Sequence, residues 1–107
     1  MIVYHGTIIS TWNKIKKGGF INSDKSGYQW RKGNYVTTDQ EMAHSFSYMD
    51  NARFGEDIVV IEITVPPEEE EHFIFSKRVR CSEDAINYVC LKPIPVEWCK
   101  LVSQMPT

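Results

Sequence analysis

The spacing of apolar residues changes from a helical to an extended pattern about halfway along the chain. Two segments of the first half, residues 8–15 and 42–49, carry apolar side chains at i, i+4 and i+7, the spacing of an amphipathic helix. Residues 58–65 instead alternate between two faces, as a strand does, and shorter apolar runs follow. We therefore predict an α+β fold with two short helices in the N-terminal half and a split, mainly antiparallel β-sheet.

Local signals predict where these elements begin and end. The first helix is expected over residues 8–17, because two glycines follow it. The second is expected to start at a capping box, in which the Thr38 hydroxyl and the Glu41 carboxylate bind free amides. The apolar residues 2–5 predict a first strand, and residues 99–102 predict a last one.

Length and composition limit the class of protein. The chain has 107 residues, enough for one hydrophobic core, so residues 1–107 are expected to form a single domain. We find no membrane-spanning stretch and no signal peptide, and therefore expect a cytoplasmic protein without a membrane partner. The three cysteines are an odd number without a CxxC pair, which favours free thiols over disulfides or a metal site. His44 and His72 have no partner at ligand spacing, so no metal is expected.

Two short segments combine a glycine with side chains that bind ligands. In Tyr4-His5-Gly6-Thr7, a histidine ends a strand, a glycine leaves room at the backbone, and a hydroxyl precedes a helix. Such a corner suits a polar ligand, because backbone groups bind an amide while the imidazole binds a hydroxyl. Gly33-Asn34-Tyr35-Val36-Thr37 has the composition of a strand with one aromatic side chain. A hydrogen-bonded histidine and a packed tyrosine are the purely structural alternatives.

Taken in this order, the two segments resemble the ADP-ribosyltransferase fold in its histidine-tyrosine-glutamate branch, which includes the poly-ADP-ribose polymerases and the rifamycin-modifying transferases. The likeness covers most of the chain. It implies that His5 binds a ribose hydroxyl of NAD and that the Gly6 backbone pairs with the nicotinamide carboxamide. Tyr4 and Thr7, on either side of this pair, belong to the same expected NAD site.

The second segment and the helix after it imply the rest of the NAD site. By the resemblance, Tyr35 and Thr37 line the site, and Phe46 stands eleven positions after Tyr35, where the polymerase-like branch has an aromatic residue. Two aromatic side chains around a flat ring are physically sensible, since each such contact contributes about 0.5 to 1.5 kcal/mol beyond burial and orients the ring.

The chain departs from the family pattern at the catalytic glutamate. The resemblance places this residue at the start of a late strand, a few positions before a Pro-Ile-Pro corner, which here is residues 93–95. The expected position holds Asn87, whose amide carries no charge. Glu83 and Asp84 are the nearest carboxylates, so Glu83, Asp84 and Asn87 all remain candidates. Glu62 is a weaker candidate, because the alternating pattern places it mid-strand toward solvent.

The resemblance implies an NAD-dependent transferase of the glycosyltransferase class that moves ADP-ribose to an acceptor and releases nicotinamide. The acceptor stays open among protein, nucleic acid and small molecule, as does completion of the site by a partner protein. One alternative is a weakly active or inactive module that binds NAD or ADP-ribose, and another is an RNA 2'-phosphotransferase-like enzyme. The formal net charge of −2 leaves RNA binding to a local basic patch. Small chains of this family are associated with toxins and defence effectors.

Overall fold

A computed structural model of the chain describes residues 1–18, 20–21, 34–51, 54–75, 85–90 and 92–106. The strands and helices of these residues are, in order, β1 (Ile2–Ile8), α1 (Ile9–Gly18), β2 (Phe20–Ile21), β3 (Asn34–Thr37), α2 (Gln40–Asn51), β4 (Ile58–Thr64), β5 (Phe73–Phe75), β6 (Asn87–Cys90), β7 (Ile94–Pro95) and β8 (Cys99–Met105). Short 3₁₀ helices lie at Pro67–His72 and Val96–Trp98. No helix in this part of the chain is long and apolar enough to cross a bilayer.

The main sheet has six strands in the order β5-β6-β3-β1-β4-β8, and each neighbouring pair is antiparallel. Strands β2 and β7 form a separate two-stranded antiparallel sheet. The predicted α+β class with an antiparallel sheet is therefore confirmed. The first strand of the chain lies in the interior of the main sheet, which pins the N-terminal segment on both sides.

Helices cover the sheet from opposite faces, and this explains why β4 is apolar on both of its faces. Helix α2 packs on β1, β3 and β4, while Trp12 and Ile15 of α1 join the hydrophobic core. Four successive residues of β4, from Ile58 to Ile61, are fully buried. A strand with both faces covered reads as a continuous apolar run, whereas an exposed face would show polar residues.

Helix α2 approaches β1 so closely that small side chains form the contact. A Cβ atom on Gly6 would clash with the Ala43 carbonyl oxygen and lie 2.8 Å from the Ser47 Cβ atom. The Ser47 hydroxyl donates a 2.9 Å hydrogen bond to the Thr7 carbonyl oxygen. Met49, expected on the packed face from its spacing, is instead 73% exposed. The prediction of a buried Met49 from apolar spacing is therefore wrong. The helix face that packs on β1 is the one that carries the small residues Ala43 and Ser47.

The start of α2 also differs from the predicted capping box. The Met42 amide donates to Asp39 Oδ1 at 2.9 Å, so Asp39 supplies the cap that was expected from Thr38. An aspartate is at least as good a cap as a threonine, and it frees the Thr38 hydroxyl for another contact. The other predicted element boundaries agree with the structure within a few residues, as is usual for helix and strand ends.

The α2–β1 contact predicts opposite effects of one substitution at two glycines. Gly6→Ala should destabilise the protein by about 1–3 kcal/mol or more, because backbone atoms of α2 occupy the space that the methyl group needs. Gly18→Ala is the matched control, since a Cβ atom there meets nothing within 4 Å; in a helix this change should be neutral or stabilise by up to about 1 kcal/mol. Urea unfolding of both variants measures the difference, and equal stabilities would contradict the packing described here.

Candidate functional site

The hydrogen bonds at the two ends of the β1–β4 pair show which way the backbone groups of β1 point. Met1 and Val65 exchange two hydrogen bonds, and the Ile9 amide donates to the Asp57 carbonyl oxygen. Backbone groups of successive strand residues point to alternate sides, so those of the odd-numbered residues face β4. The N–H and C=O groups of Tyr4 and Gly6 therefore face β3.

Strands β1 and β3 are paired at Tyr4–Thr37. Gly6 and Tyr35 both lie in the described part of the chain, and they are not paired with each other. In a regular ladder Gly6 and Tyr35 would be the next bonded pair. Instead, His5 Nδ1 lies 2.8 Å from the Tyr35 carbonyl oxygen. The imidazole thus donates to a carbonyl that a regular ladder would pair with the Gly6 amide, and the backbone groups of Gly6 face the part of β3 where the pairing stops. We call this place the β1–β3 opening.

The contact with Tyr35 determines which nitrogen of His5 carries its proton. A carbonyl oxygen only accepts hydrogen bonds, so Nδ1 must be the donor, which leaves Nε2 as an acceptor in the neutral ring. Burial lowers the pKa of His5, and the hydrogen bond to the Tyr35 carbonyl opposes this shift in part. His5 is consequently neutral at pH 7, and the Nε2 atom of the neutral ring has the lone pair to accept a hydrogen bond from a hydroxyl.

Three residues form a row across neighbouring strands next to the opening. Thr37 pairs with Tyr4 of β1 and with Asn87 of β6, and directly paired residues project from the same face of a sheet. Thr37 and Asn87 are buried, with 2% and 7% exposure. Asn87 is the first residue of β6, and strand β3 lies between β6 and β1.

The predicted site residues that the structure describes lie on β1, β3, α2 and β6, and they are distributed over both faces of the sheet. By strand alternation the Tyr35 side chain shares the face of Thr37, and His5 projects from the opposite face. Phe46 is partly buried in α2, the helix that packs on Gly6. Thr7 contributes its carbonyl oxygen to the packing of α2. Glu83 and Asp84 lie outside the described residues.

A second concave feature, which the sequence did not indicate, adjoins the opening at Tyr4. It is a groove of about 820 Å³ between the first turns of α2 and strands β4 and β8, and its lining includes Glu41, His44, Val60 and Ser103. These residues are scattered over three elements. Tyr4 belongs to the Tyr4-His5-Gly6-Thr7 segment and Glu41 to the predicted capping box, but no local signal connects these residues to β4 and β8 without the strand order.

No protein-family model, curated protein or solved structure matches this chain. The motifs and the geometry of the β1–β3 opening are therefore the basis for its function. In the described part of the chain, no three His, Cys, Asp or Glu side chains are grouped as metal ligands would be.

The buried, neutral state of His5 predicts a pH dependence of stability. In the unfolded chain a histidine titrates with a pKa of about 6.5, and in the folded protein the pKa of His5 lies below that value. Below pH 6.5 the unfolded state therefore binds more protons, and stability falls as the pH decreases toward the folded pKa. His5→Gln should remove this part of the slope.

Urea unfolding between pH 5 and pH 7.5 tests the expectation. The control is the wild-type protein over the same pH range, whose stability should fall more steeply toward pH 5 than that of His5→Gln. An unchanged slope in His5→Gln would show that His5 is not the residue responsible.

Proposed function

We propose that the chain binds NAD in the β1–β3 opening and transfers ADP-ribose from it to an acceptor, with release of nicotinamide. The observation that carries the proposal is the peptide edge of Gly6, which faces the place where strand pairing stops. His5 and Tyr35 flank this edge. A carboxamide has one N–H donor side and one C=O acceptor. It can therefore pair with the C=O and N–H of a peptide edge in the same way as a neighbouring strand.

The packing of α2 limits how the nicotinamide can approach. Because α2 fills the space on the Cβ side of Gly6, the ring must enter in the plane of the sheet, between β1 and β3. There its carboxamide replaces the missing backbone pair. Tyr35 and Phe46, from β3 and α2, are the aromatic side chains that we assign to the contact with the ring.

His5 then has a role that fits its protonation state. Its Nδ1–H is engaged by the Tyr35 carbonyl, so the neutral ring presents Nε2 as an acceptor. A ribose hydroxyl donates to such a nitrogen. This assignment explains why the imidazole is held by a backbone carbonyl rather than by a carboxylate, which would favour the charged form.

The proposed reaction breaks the bond between the nicotinamide nitrogen and the ribose anomeric carbon. The bonding electrons leave with nicotinamide, so positive charge develops on the ribose, and the acceptor nucleophile then bonds to the anomeric carbon. A nearby carboxylate would stabilise that charge. Asn87 occupies the strand start beside Thr37 and contributes a hydrogen bond but no charge, whereas Glu83 and Asp84 stay candidates for the carboxylate.

Asn87 also favours a second candidate function on the same site. A neutral side chain can hold the ribose in the ground state without stabilising the cation of the transition state. The chain would then bind NAD or ADP-ribose with weak turnover or none. The two functions share the binding step and differ only in the charge that faces the reacting carbon.

We place this activity in the cytoplasm. Cys90 and Cys99 are free thiols, as expected for a reducing compartment. Burial raises the pKa of both, that of Cys99 to about 11, so both thiols are protonated and unreactive at pH 7.

Titration calorimetry with NAD tests the binding step. The wild-type protein should bind NAD, and Tyr35→Ala should weaken binding about tenfold or more, because it removes one aromatic contact with the ring and its buried area. Tyr48→Ala is the matched control: Tyr48 lies on α2 but is 50% exposed, and its loss should leave affinity unchanged. Absence of NAD binding by a folded wild-type protein would refute the proposal.

Nicotinamide release measured with and without cell lysate separates the two candidate functions. Lysate-dependent release by the wild-type protein indicates a transferase. If Asn87 is the reason for weak turnover, Asn87→Glu should raise release by at least about tenfold, because it adds the missing charge. Asn87→Gln is the control, since it has the length of glutamate without the charge. Equal rates for the two variants would count against a role of charge at this position.

A further inference from the structure

Thr38 links the end of β3 to the start of β6 through two hydrogen bonds. Its amide donates to the Ile86 carbonyl oxygen at 3.0 Å, and its hydroxyl accepts from the Ile86 amide at 2.9 Å. Ile86 directly precedes Asn87. The two peptide groups on either side of Ile86 are therefore both held by the same threonine.

The Thr38 hydroxyl is not required for the helix that follows. Asp39 Oδ1 accepts from the Met42 amide at 2.9 Å, and Thr37 Oγ1 accepts from the Asp39 amide at 3.3 Å. These neighbours cap and orient the first turn of α2. The contact of the Thr38 hydroxyl with Ile86 thus serves β6 and not the helix.

Ile86 needs a backbone anchor because its side chain does not supply one. It is 43% exposed, so packing holds it weakly. The ladder between β3 and β6 begins at Thr37–Asn87, which makes Asn87 a terminal pair, and strand ends open more readily than strand centres. Fixing both peptide groups of Ile86 limits the directions from which the chain can enter Asn87.

We infer that Thr38 is a positioning residue that orients the Asn87 side chain toward the proposed NAD site. The inference rests on the proposed function for the role of Asn87 toward the ligand. The orientation itself depends only on the two bonds to Ile86 and can be measured without NAD. A threonine is well suited, because its β-branched side chain is stiff and holds the hydroxyl in place.

The test compares Thr38→Val, which keeps shape and loses the hydroxyl, with Thr38→Ser, which keeps the hydroxyl. In ¹⁵N NMR spectra, Thr38→Val should shift the Asn87 side-chain amide signals and speed exchange of the Ile86 amide about three- to tenfold. It should weaken NAD binding by a similar factor. Thr38→Ser should resemble the wild-type protein in all three measurements, which a general loss of packing would not produce.

Thr64→Val is the control for replacing a threonine hydroxyl at an exposed strand end, and it should change none of these signals. Unchanged Asn87 signals in Thr38→Val, or identical behaviour of the valine and serine variants, would overturn the inference. Shifted Asn87 signals with unchanged NAD affinity would overturn it as well. If the wild-type protein does not bind NAD, the proposed function fails, and the NMR comparison alone decides whether Thr38 orients Asn87.

Discussion

The close approach of α2 to β1 at Gly6 is the constraint on which the rest of the site depends. No side chain larger than hydrogen fits between this strand residue and the Ala43 backbone, and the Ser47 bond to the Thr7 carbonyl fixes the helix at the same level. The helix therefore blocks one face of Gly6 completely. The edge of its peptide group points along the sheet toward β3, where the strand pairing stops after Tyr4–Thr37.

The hydrogen bond from His5 to the Tyr35 carbonyl lies where the β1–β3 pairing stops. A regular antiparallel pair would have satisfied the Gly6 and Tyr35 backbone groups with each other. By donating its Nδ1–H to the Tyr35 carbonyl, the imidazole satisfies one partly buried acceptor, and the Gly6 peptide opposite is not paired with Tyr35. A buried charge would be costly in this place, and the lowered pKa of His5 means that the contact forms without one.

Much of the fold could be predicted from local sequence patterns, because its elements have strong periodicity. Spacing alone identifies residues 58–65 and the two amphipathic segments. It does not identify the packed face of α2, because it predicts a buried Met49, whereas Ala43 and Ser47 make the contact. The sequence likewise predicts Thr38 as a helix cap, and its bond to Ile86, 48 positions away, has no local signal.

Some features of the candidate site can likewise be predicted from neighbouring residues, whereas others depend on contacts between distant parts of the chain. The glycine and the histidine could be selected from one tetrapeptide, but the bond from His5 to the Tyr35 carbonyl joins residues 30 positions apart. The groove beside Tyr4 depends on the strand order and could not be inferred. The position of Asn87 at the start of β6 was predicted, since it was counted from a proline corner close by in the chain.

The neutral side chain at Asn87 separates binding from chemistry in this site. Under the proposed function, the Gly6 edge, the aromatic side chains and the His5 acceptor would all act on the ground state of a bound dinucleotide, and none would require a charge. Breaking the glycosidic bond does require one, because positive charge appears on the ribose only in the transition state. A chain that keeps the first set of contacts and replaces the carboxylate by an amide would thus keep its ligand and lose rate.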